Sequence, residues 1–221
     1  MDGVKIQQKV WWGYGKAASK IGLNYKVYRS SDGIDPLDIS NYLYDLPLST
    51  TQIWSYKSPN KYAMNSWMMV VDGNQVEAGD YLVADNDLFD DIYFIASKQS
   101  LQPILGIKCD RIIDVISVST DDVLEKKGFT GYSAENVPPL NNQTIMQNCP
   151  CSFIIGSKGE ANSVNLPFDS KMPWYSVYLP YLNKYISDGY VIVDENNNRF
   201  LISGNQKTDN GWKLITTILG A

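Results

Sequence analysis

Short apolar runs separated by turn residues dominate the chain from residue 67 onward. Runs rich in β-branched and aromatic residues, such as 67–71, 92–97 and 111–119, alternate with segments rich in Gly, Asp, Asn and Pro. Asp72-Gly73, directly after the first of these runs, is a strong signal for a tight turn between antiparallel strands. The pattern therefore predicts a mainly β protein built from short antiparallel strands.

The N-terminal segment follows a different period. Apolar residues recur there at intervals of three and four, which is typical of one face of a helix: Ile6, Val10, Tyr14, Ala17 and Ile21. Gly13 and Gly15 each weaken such a helix by about 1 kcal/mol relative to Ala, so a supporting surface is expected. Gly22 is a candidate for its end. Two interpretations stay open: the helix packs on its own body, or it lies on a neighbouring subunit.

One hairpin pattern occurs twice in the chain. GDYLVADNDLFDDIYFIAS (79–97) has a counterpart in DGYVIVDENNNRFLIS (188–203). An overlay that allows a two-residue difference before the tyrosine and another in the hairpin loop pairs five identical residues: Trp67 with Trp174, Tyr81 with Tyr190, Asp85 with Asp194, Phe94 with Phe200 and Ser97 with Ser203. The ordered pattern favours a duplicated unit. Closing each unit into a barrel would also remove exposed strand edges.

We therefore predict two small antiparallel β-barrel or β-sandwich units in tandem, with an N-terminal helical arm. The predicted boundaries are 1–30 for the arm, 31–120 for the first unit, 121–150 for a linker or excursion and 151–221 for the second unit. Residues 121–150 are assigned to a linker because they lack a sustained apolar period and contain several Gly and Pro residues.

The composition narrows the possible chemistry. The chain contains no His, which excludes Ser–His and Cys–His nucleophiles and the HExxH zinc motif. Its three Cys residues are too few for a disulfide scaffold, so we expect synthesis in a reducing cytoplasm. No apolar run approaches the ~18–20 residues that span a bilayer, and the N-terminus lacks the apolar core of a secretory signal. We expect no catalytic residue and no cofactor.

Charge is divided unevenly along the chain. Residues 1–29 hold six cationic side chains against one Asp, a net of +5 within a chain of −5, so the remainder carries −10. The predicted helix places Lys5, Lys9, Lys16 and Lys20 on one side. Nucleic-acid phosphate, a membrane surface or an acidic protein would each satisfy them. The acidic remainder would repel DNA, which favours the acidic face of a sister subunit, and head-to-tail docking of that kind can close a ring.

The hairpin loop at 85–91 collects Asp85, Asp87, Asp90 and Asp91. A solvated acidic turn, a contact with a basic partner and a calcium site are three interpretations of this loop. The EF-hand pattern fails because Phe89 occupies a ligand position, no Gly stands at the sixth place and no Glu closes the loop. Paired carboxylates for glycoside hydrolysis are available in the chain, but no local motif couples two of them.

Several longer phrases resemble one family when they are taken together: YGKAASKIGLNYKVYR, DGNQVEAGDYLVADN, YFIASKQSLQPILGIKC, MPWYSVYLP and NGWKLITTI. They resemble virion proteins encoded by tailed bacteriophages and prophages of Gram-negative bacteria, over a stretch from about Tyr14 to Ile218. The GDYLV…YFIAS unit is similar to the small β-barrels of phage head-completion proteins, also called stopper or neck proteins. One departure is Asp188-Gly189, where the pattern would have Gly-Asp.

This resemblance implies a structural subunit of the virion, assembled in the host cytoplasm, which forms a ring at the head–tail junction or in the tail. The implied partners are sister subunits in rings of about six or twelve, other head–tail or tail proteins, and double-stranded DNA that passes through the lumen without sequence-specific binding; no membrane is implied. Since aromatic contacts carry much of the energy of interfaces, the candidate interface residues are Lys5, Lys9, Trp11, Trp12, Lys16, Lys20 and Trp54.

The alternative is a glycan- or receptor-binding module of a tail fibre, spike or baseplate, in which surface Trp and Tyr side chains would serve as platforms for sugars.

Overall fold

The computed structural model describes residues 2–52, 64–85, 90–117, 143–156 and 174–219. These residues contain an N-terminal α-helix, α1 (Gly3–Ile21), a short 3₁₀ helix (Ile39–Asn41) and strands arranged in two sheets. The predicted mainly β fold with two β units and an N-terminal helix is confirmed. In this part of the chain, no helix has the length and apolar character required to cross a membrane.

The first sheet is a closed barrel of six antiparallel strands. In chain order they are β1 (Leu23–Tyr28), β2 (Tyr42–Thr51), β3 (Ser66–Val70), β4 (Tyr81–Ala84), β5 (Ile92–Ser97) and β6 (Ile104–Cys109). Around the barrel the order is β1-β2-β3-β6-β5-β4, with β4 pairing back onto β1. Alternate side chains such as Val27, Leu48, Met69 and Leu82 form its buried interior, as expected for a small barrel filled by side chains.

The second sheet closes in the same manner. Its strands are β7 (Arg111–Ile116), β8 (Thr144–Ile155), β9 (Trp174–Leu179), β10 (Val191–Asp194), β11 (Arg199–Thr208) and β12 (Gly211–Ile218). Around the barrel the order is β7-β8-β9-β12-β11-β10. The strands β7 to β12 therefore correspond in order to β1 to β6, and the two barrels have the same topology.

The hydrogen-bond registers of β4–β5 and β10–β11 also agree residue for residue. Gly79 and Gly189 lie just before β4 and β10 with φ of +98° and +85°, a backbone region that suits glycine. Their N–H groups donate to the carbonyls of Ile95 and Ile202, and a β-bulge follows each of these isoleucines. This agreement in detail supports a duplicated unit more strongly than the identities in the sequence do.

The residue pairing proposed from the sequence is wrong by one position. Tyr81 was paired with Tyr190, but its structural equivalent is Val191, and the other pairs within the strands are displaced by the same single residue. A shift of one residue turns every side chain of a strand to the opposite face, so the identical letters mark different environments. The structural overlay instead aligns 47–49 (Pro-Leu-Ser) in β2 with 150–152 (Pro-Cys-Ser) in β8.

The division of the chain also differs from the predicted boundaries. β1 belongs to the first barrel and not to an arm of residues 1–30, and β7, placed at the end of unit 31–120, pairs with β8 and β10 in the second barrel. β8 begins inside the predicted linker 121–150. Only Asp110 separates β6 from β7, so one residue joins the barrels. The aperiodic segment is the β7–β8 connection, of which residues 118–142 lie outside the described part.

The two barrels share a hydrophobic seam. Tyr81, Phe94 and Ile107, on the outer face of β4–β6, belong to the same buried cluster as Cys149 of β8. The Tyr81 hydroxyl donates to the Pro150 carbonyl over 3.0 Å. Side chains of this size contribute about 1.5–3 kcal/mol each when fully buried, so the seam fixes the barrels against each other.

The connection between β1 and β2 reinforces this seam. We call residues 30–41 the strap, because they leave the first barrel and lie on the second. Ile34 forms a parallel bridge with Gln147, whose N–H donates to the Gly33 carbonyl over 2.9 Å. Leu37 packs against the shared core. The strap is therefore a second link between the barrels, besides Asp110.

Candidate interaction surface

Helix α1 has defined ends. The Asp2 side chain accepts a hydrogen bond from the Val4 N–H at 3.1 Å and caps the first turn. At the other end, the Gly22 N–H donates to the Ala18 carbonyl over 2.7 Å. Gly22 thus ends the helix as predicted, and β1 begins at the next residue. A single residue, Gly22, therefore connects the helix to the first strand of the barrel.

Two glycines allow α1 to approach the first barrel closely. A Cβ atom at Gly15 would lie 2.7 Å from the Cβ of Asp72, and one at Gly73 would lie 2.5 Å from the indole of Trp11. Both distances are too short for carbon atoms, so larger residues would push the helix away. Gly15 weakens the helix but permits the contact that stabilises it.

Polar groups fix the same face of the helix. The Gln7 side chain accepts from the Leu101 N–H at 2.6 Å. The Lys98 ammonium lies 4.6 Å from the centre of the Trp11 ring and also donates to the Val76 carbonyl. Burial lowers the pKa of Lys98. The contacts of Gln7 and Trp11 place one side of α1 against the β5–β6 and β3–β4 loops.

The packed face is rotated from the predicted apolar stripe. Ile6 and Ala17 are exposed and Ile21 is 60% exposed, whereas Ala18 is buried and Trp11 is half-buried against the barrel. The difference arises because small residues and a flat indole permit a closer approach than branched side chains do. Of the two interpretations of the helix, the structure shows packing on its own body.

The opposite side of α1 is a basic surface, which we call the lysine ridge: Lys5, Lys9, Trp12, Lys16 and Lys20. At about 100° per residue these side chains fall within an arc of about 80°, facing away from the barrel. All five are exposed, and Trp12 is 56% exposed. The Lys16 ammonium lies 3.7 Å from the centre of the Trp12 ring. In the described part of the chain, no ion pair joins these lysines to an acid.

The seven residues predicted for an interface are therefore divided by the structure. Four lysines and Trp12 share the ridge, and a shallow depression of about 540 Å³ lies beside Lys5, Lys9 and Trp12. Trp11 lies on the inner side of the helix against the first barrel and is not part of this surface. Trp54 lies outside the described residues.

The acidic loop at 85–91 is anchored to its own barrel. Asp85 pairs with Lys26 at 2.8 Å, and Asp91 pairs with Lys108 at 2.5 Å. Asp87 lies outside the described residues. Within the described ranges, no group of three or more Cys, Asp or Glu side chains is arranged to hold a metal ion.

Each barrel contains one deeply buried carboxylate with an arginine partner. In the first barrel, Arg29 makes two hydrogen bonds to Asp80, of 2.7 and 2.8 Å, and Asp80 is only 1% exposed. Asp80 also accepts the Glu77 N–H at 2.7 Å and so organises the turn before β4. The hydrogen bond to Asp80 raises the pKa of Arg29 further, so the guanidinium stays charged.

In the second barrel, the buried Asp194 accepts from Arg111 at 2.9 Å and from the N–H groups of Asn196 and Asn198 at 3.0 and 2.8 Å. Burial acts to raise the pKa of Asp194, but the hydrogen bonds from Asn198 and Asn196 and the charge of Arg111 outweigh it, and the pKa is lowered. Asp194 therefore closes the β10–β11 hairpin as a carboxylate.

The three cysteines are buried free thiols: Cys109, Cys149 and Cys151. Burial raises the pKa of all three, that of Cys149 to about 12. Thiols in this state react slowly because the thiolate is the nucleophile.

The second barrel presents two exposed tyrosine rings over a buried tryptophan, a group that sequence reasoning did not single out. We call Tyr181, Tyr185 and Trp212 the aromatic patch. The two tyrosine rings lie 6.4 and 5.9 Å from Trp212, and Tyr185 is 70% exposed. The Trp212 indole donates to the Lys184 carbonyl at 3.2 Å, and the Lys207 ammonium lies 3.7 Å from the Tyr181 ring. The run YLPYLNKY (178–185), three tyrosines around a Pro, was the available signal.

Comparison with known proteins gives no further guidance. No protein-family model, no curated protein and no solved structure matches this chain. The resemblance to phage virion proteins stays a prediction.

Proposed function

We propose that this protein is a structural subunit of a tailed-phage virion, which forms an oligomeric ring at the head–tail junction or within the tail. The observation that carries the proposal is the lysine ridge, a row of unpaired cations around an exposed Trp12 on a helix whose other side is fixed to the barrel. Such a surface is suited to docking on an acidic neighbour.

The support beneath the ridge is rigid, which favours assembly. α1 is held by the close contacts at Gly15 and Gly73 and continues directly into β1. A preorganised surface loses less conformational entropy on binding than a flexible arm. Since the ridge is positive while the whole chain carries −5, the electrostatically favourable orientation of two copies is head to tail, with the ridge of one against an acidic surface of the next.

The proposal assigns no catalytic residue. The buried carboxylates Asp80 and Asp194 hold turns through arginine and backbone hydrogen bonds. The phage assignment is supported by the resemblance of the sequence phrases, and docking on a neighbour is supported by the exposure of the lysine ridge.

The ring is tested by sedimentation velocity and negative-stain imaging of the purified protein at rising concentration, together with mass spectrometry of purified virions. We expect concentration-dependent closed rings and the protein among the particle components. A protein that remains monomeric at high concentration and is absent from particles contradicts the proposal.

The aromatic patch favours a second function, recognition of a surface glycan. Tyrosine rings exposed on one side and supported by Trp212 on the other offer flat apolar faces to a sugar ring. A glycan array tests this function, with Tyr185→Ala as the loss variant and Leu101→Ala, an exposed apolar residue of the first barrel, as the matched control. Binding that disappears only in Tyr185→Ala supports it, and an array without binding rejects it.

A further inference from the structure

We infer that the lysine ridge of one copy binds an acidic face on the strap and second barrel of the next copy. This inference rests on the proposed function, for which it names the partner surface. The acidic face consists of Asp32, Asp35, Asp38 and Asp114. It lies beside β8, whereas the ridge lies on the first barrel, so the contact runs head to tail.

These carboxylates lie near one another. Asp35 and Asp114 bind the same residue, Asn148, through its side-chain amide and its backbone N–H. The Cys149 thiol donates to the Gly33 carbonyl over 3.1 Å, which brings the segment that holds Asp32 and Asp35 onto β8, next to Asn148.

Local hydrogen bonds also hold the side chains of the strap in position. Asp32 accepts from the Ile34 N–H at 3.1 Å, and Asp38 accepts from the Ser40 N–H at 2.8 Å. The acidic face is therefore organised before a partner arrives, which lowers the entropic cost of binding.

The acidic face lacks cationic partners, and this separates it from other acids of the chain. Asp85, Asp91, Asp80 and Asp194 each pair with a Lys or Arg of their own barrel. In the described part of the chain, no ion pair includes a member of the acidic face. Among the described residues, four lysines on one surface and four carboxylates on another thus have no ion-pair partner.

An apolar contact accompanies this charge complementarity. Ile39, next to Asp38 on the strap, is 77% exposed, the largest exposed fraction among the large hydrophobic residues in the described part. Trp12, in the middle of the lysine ridge, is 56% exposed. An aromatic anchor surrounded by charged pairs is the usual composition of an interface centre and rim.

The two surfaces meet only between copies. The ridge points away from the barrel that α1 covers, and a single residue, Gly22, connects the helix to β1. The ridge of one molecule therefore has no route to its own strap. Because ridge and acidic face are different surfaces, each copy has one of each to offer, which is the arrangement that closes a ring or extends a filament.

A zero-length carbodiimide cross-linking experiment tests the pairing directly. Natural-abundance and ¹⁵N-labelled full-length proteins are mixed, and amide bonds between lysines and carboxylates are mapped by mass spectrometry. We expect mixed-isotope links from Lys5, Lys9, Lys16 or Lys20 to Asp32, Asp35, Asp38 or Asp114. Mixed links from the ridge to other acids, in a protein that still forms rings, overturn this inference and leave the proposed function standing. A monomer without mixed links overturns both.

Charge reversal gives an independent test. The quadruple variant Lys5→Glu, Lys9→Glu, Lys16→Glu and Lys20→Glu is expected to weaken self-association at least tenfold. A strap variant, Asp35→Lys with Asp38→Lys, is expected to do the same, with circular dichroism confirming its fold. An equimolar mixture of the two variants restores complementary charges and should associate again. Failure of two folded variants to associate when mixed, or a ridge variant that assembles like the wild type, contradicts the pairing.

Discussion

The two barrels have the same strand topology, but different elements cover the corresponding end of each barrel. In the second barrel the β11–β12 ladder continues to Thr208 and Gly211, and Trp212 of this hairpin bonds to the β9–β10 loop. In the first barrel the β5–β6 ladder stops at Ser97 and Leu105. There helix α1 covers the β3–β4 loop and supplies Trp11 in a comparable place.

A pair of equivalent contacts confirms that these are corresponding ends of the two barrels. The Lys98 side chain donates to the Val76 carbonyl, and the Asn205 side chain donates to the Ile186 carbonyl over 2.9 Å. Lys98 and Asn205 are at the same register position after the bulge of β5 and β11. Helix α1 therefore takes the place of a longer β5–β6 hairpin and belongs structurally to the first barrel. Its outer side, the lysine ridge, is exposed.

The largest expected effect comes from breaking the buried ion pair of the first barrel. Asp80→Ala leaves Arg29 without its bidentate partner and removes the acceptor for the Glu77 N–H. Since Arg29 retains access to water, we expect a loss of about 2–3 kcal/mol in the free energy of unfolding, at the lower edge of values for broken buried pairs. Urea denaturation measures it. Asp85→Ala, at an exposed ion pair, is the control and should change stability by less than about 1 kcal/mol.

The role of α1 as a cover for the first barrel is tested by a pair of tryptophans. Trp11→Ala removes the half-buried indole from Gly73 and Lys98 and should cost about 2 kcal/mol. Trp12→Ala, on the exposed ridge, should cost less than about 0.5 kcal/mol. Thermal unfolding compares the two variants. Equal effects would mean that the helix does not use one side to cover the barrel.

The buried carboxylate of the second barrel, Asp194, should make the stability of the protein sensitive to acid. Because the pKa of Asp194 is lowered in the folded state, its contribution to stability is complete above the unfolded value of about 4 and is lost as the pH falls through the folded pKa. Asp194→Asn should therefore destabilise the protein by about 1–2 kcal/mol at pH 7 and show a smaller further loss between about pH 5 and pH 2. Urea midpoints measured across this range check it. If the variant lost as much stability on acidification as the wild type does, Asp194 would not be the cause of the acid sensitivity.

The smallest expected effect on stability comes from a substitution in the seam between the barrels. Tyr81→Phe deletes the hydrogen bond to the Pro150 carbonyl and should cost about 1 kcal/mol. The buried thiols report on the seam: Ellman's reagent at pH 8 should react with the three cysteines slowly in the wild type and faster in this variant. Rapid labelling of the wild type would show that the seam is open.

Local sequence patterns predict many of the strands and the end of the helix, whereas the remaining features of the fold depend on contacts between residues far apart in the chain. The apolar runs located strands such as β3, β5 and β9, and Gly22 marked the end of α1. The sequence shows the repeat but not the register in which the two units overlay. A shift of one residue exchanges the two faces of a strand, yet strands that are apolar on both faces look almost the same after such a shift. The hydrogen bonds at Gly79 and Gly189 define the register in the structure.

The division into barrels could not be inferred in the same way. A long aperiodic segment suggests a linker, but the chain passes from β6 of the first barrel to β7 of the second through one residue, Asp110, whose carboxylate accepts the Phe153 N–H at 2.8 Å. The lysines of the ridge could be found because their helical spacing alone brings them together. The acidic face combines the strap with Asp114, about eighty residues further on. Sequence reasoning could not find it, because the tertiary contact between Ile34 and Gln147 brings its two parts together.

The most direct test of the central claim, that copies associate through the outer side of α1, is sedimentation velocity of the wild type beside two matched charge-reversal variants. One variant carries Lys5→Glu, Lys9→Glu, Lys16→Glu and Lys20→Glu, and the other carries Lys184→Glu, Arg199→Glu, Lys207→Glu and Lys213→Glu on the second barrel. The account predicts ring-sized species for the wild type and the second variant and monomers for the ridge variant. Ring-sized species in the ridge variant, or their loss only in the second, would contradict it.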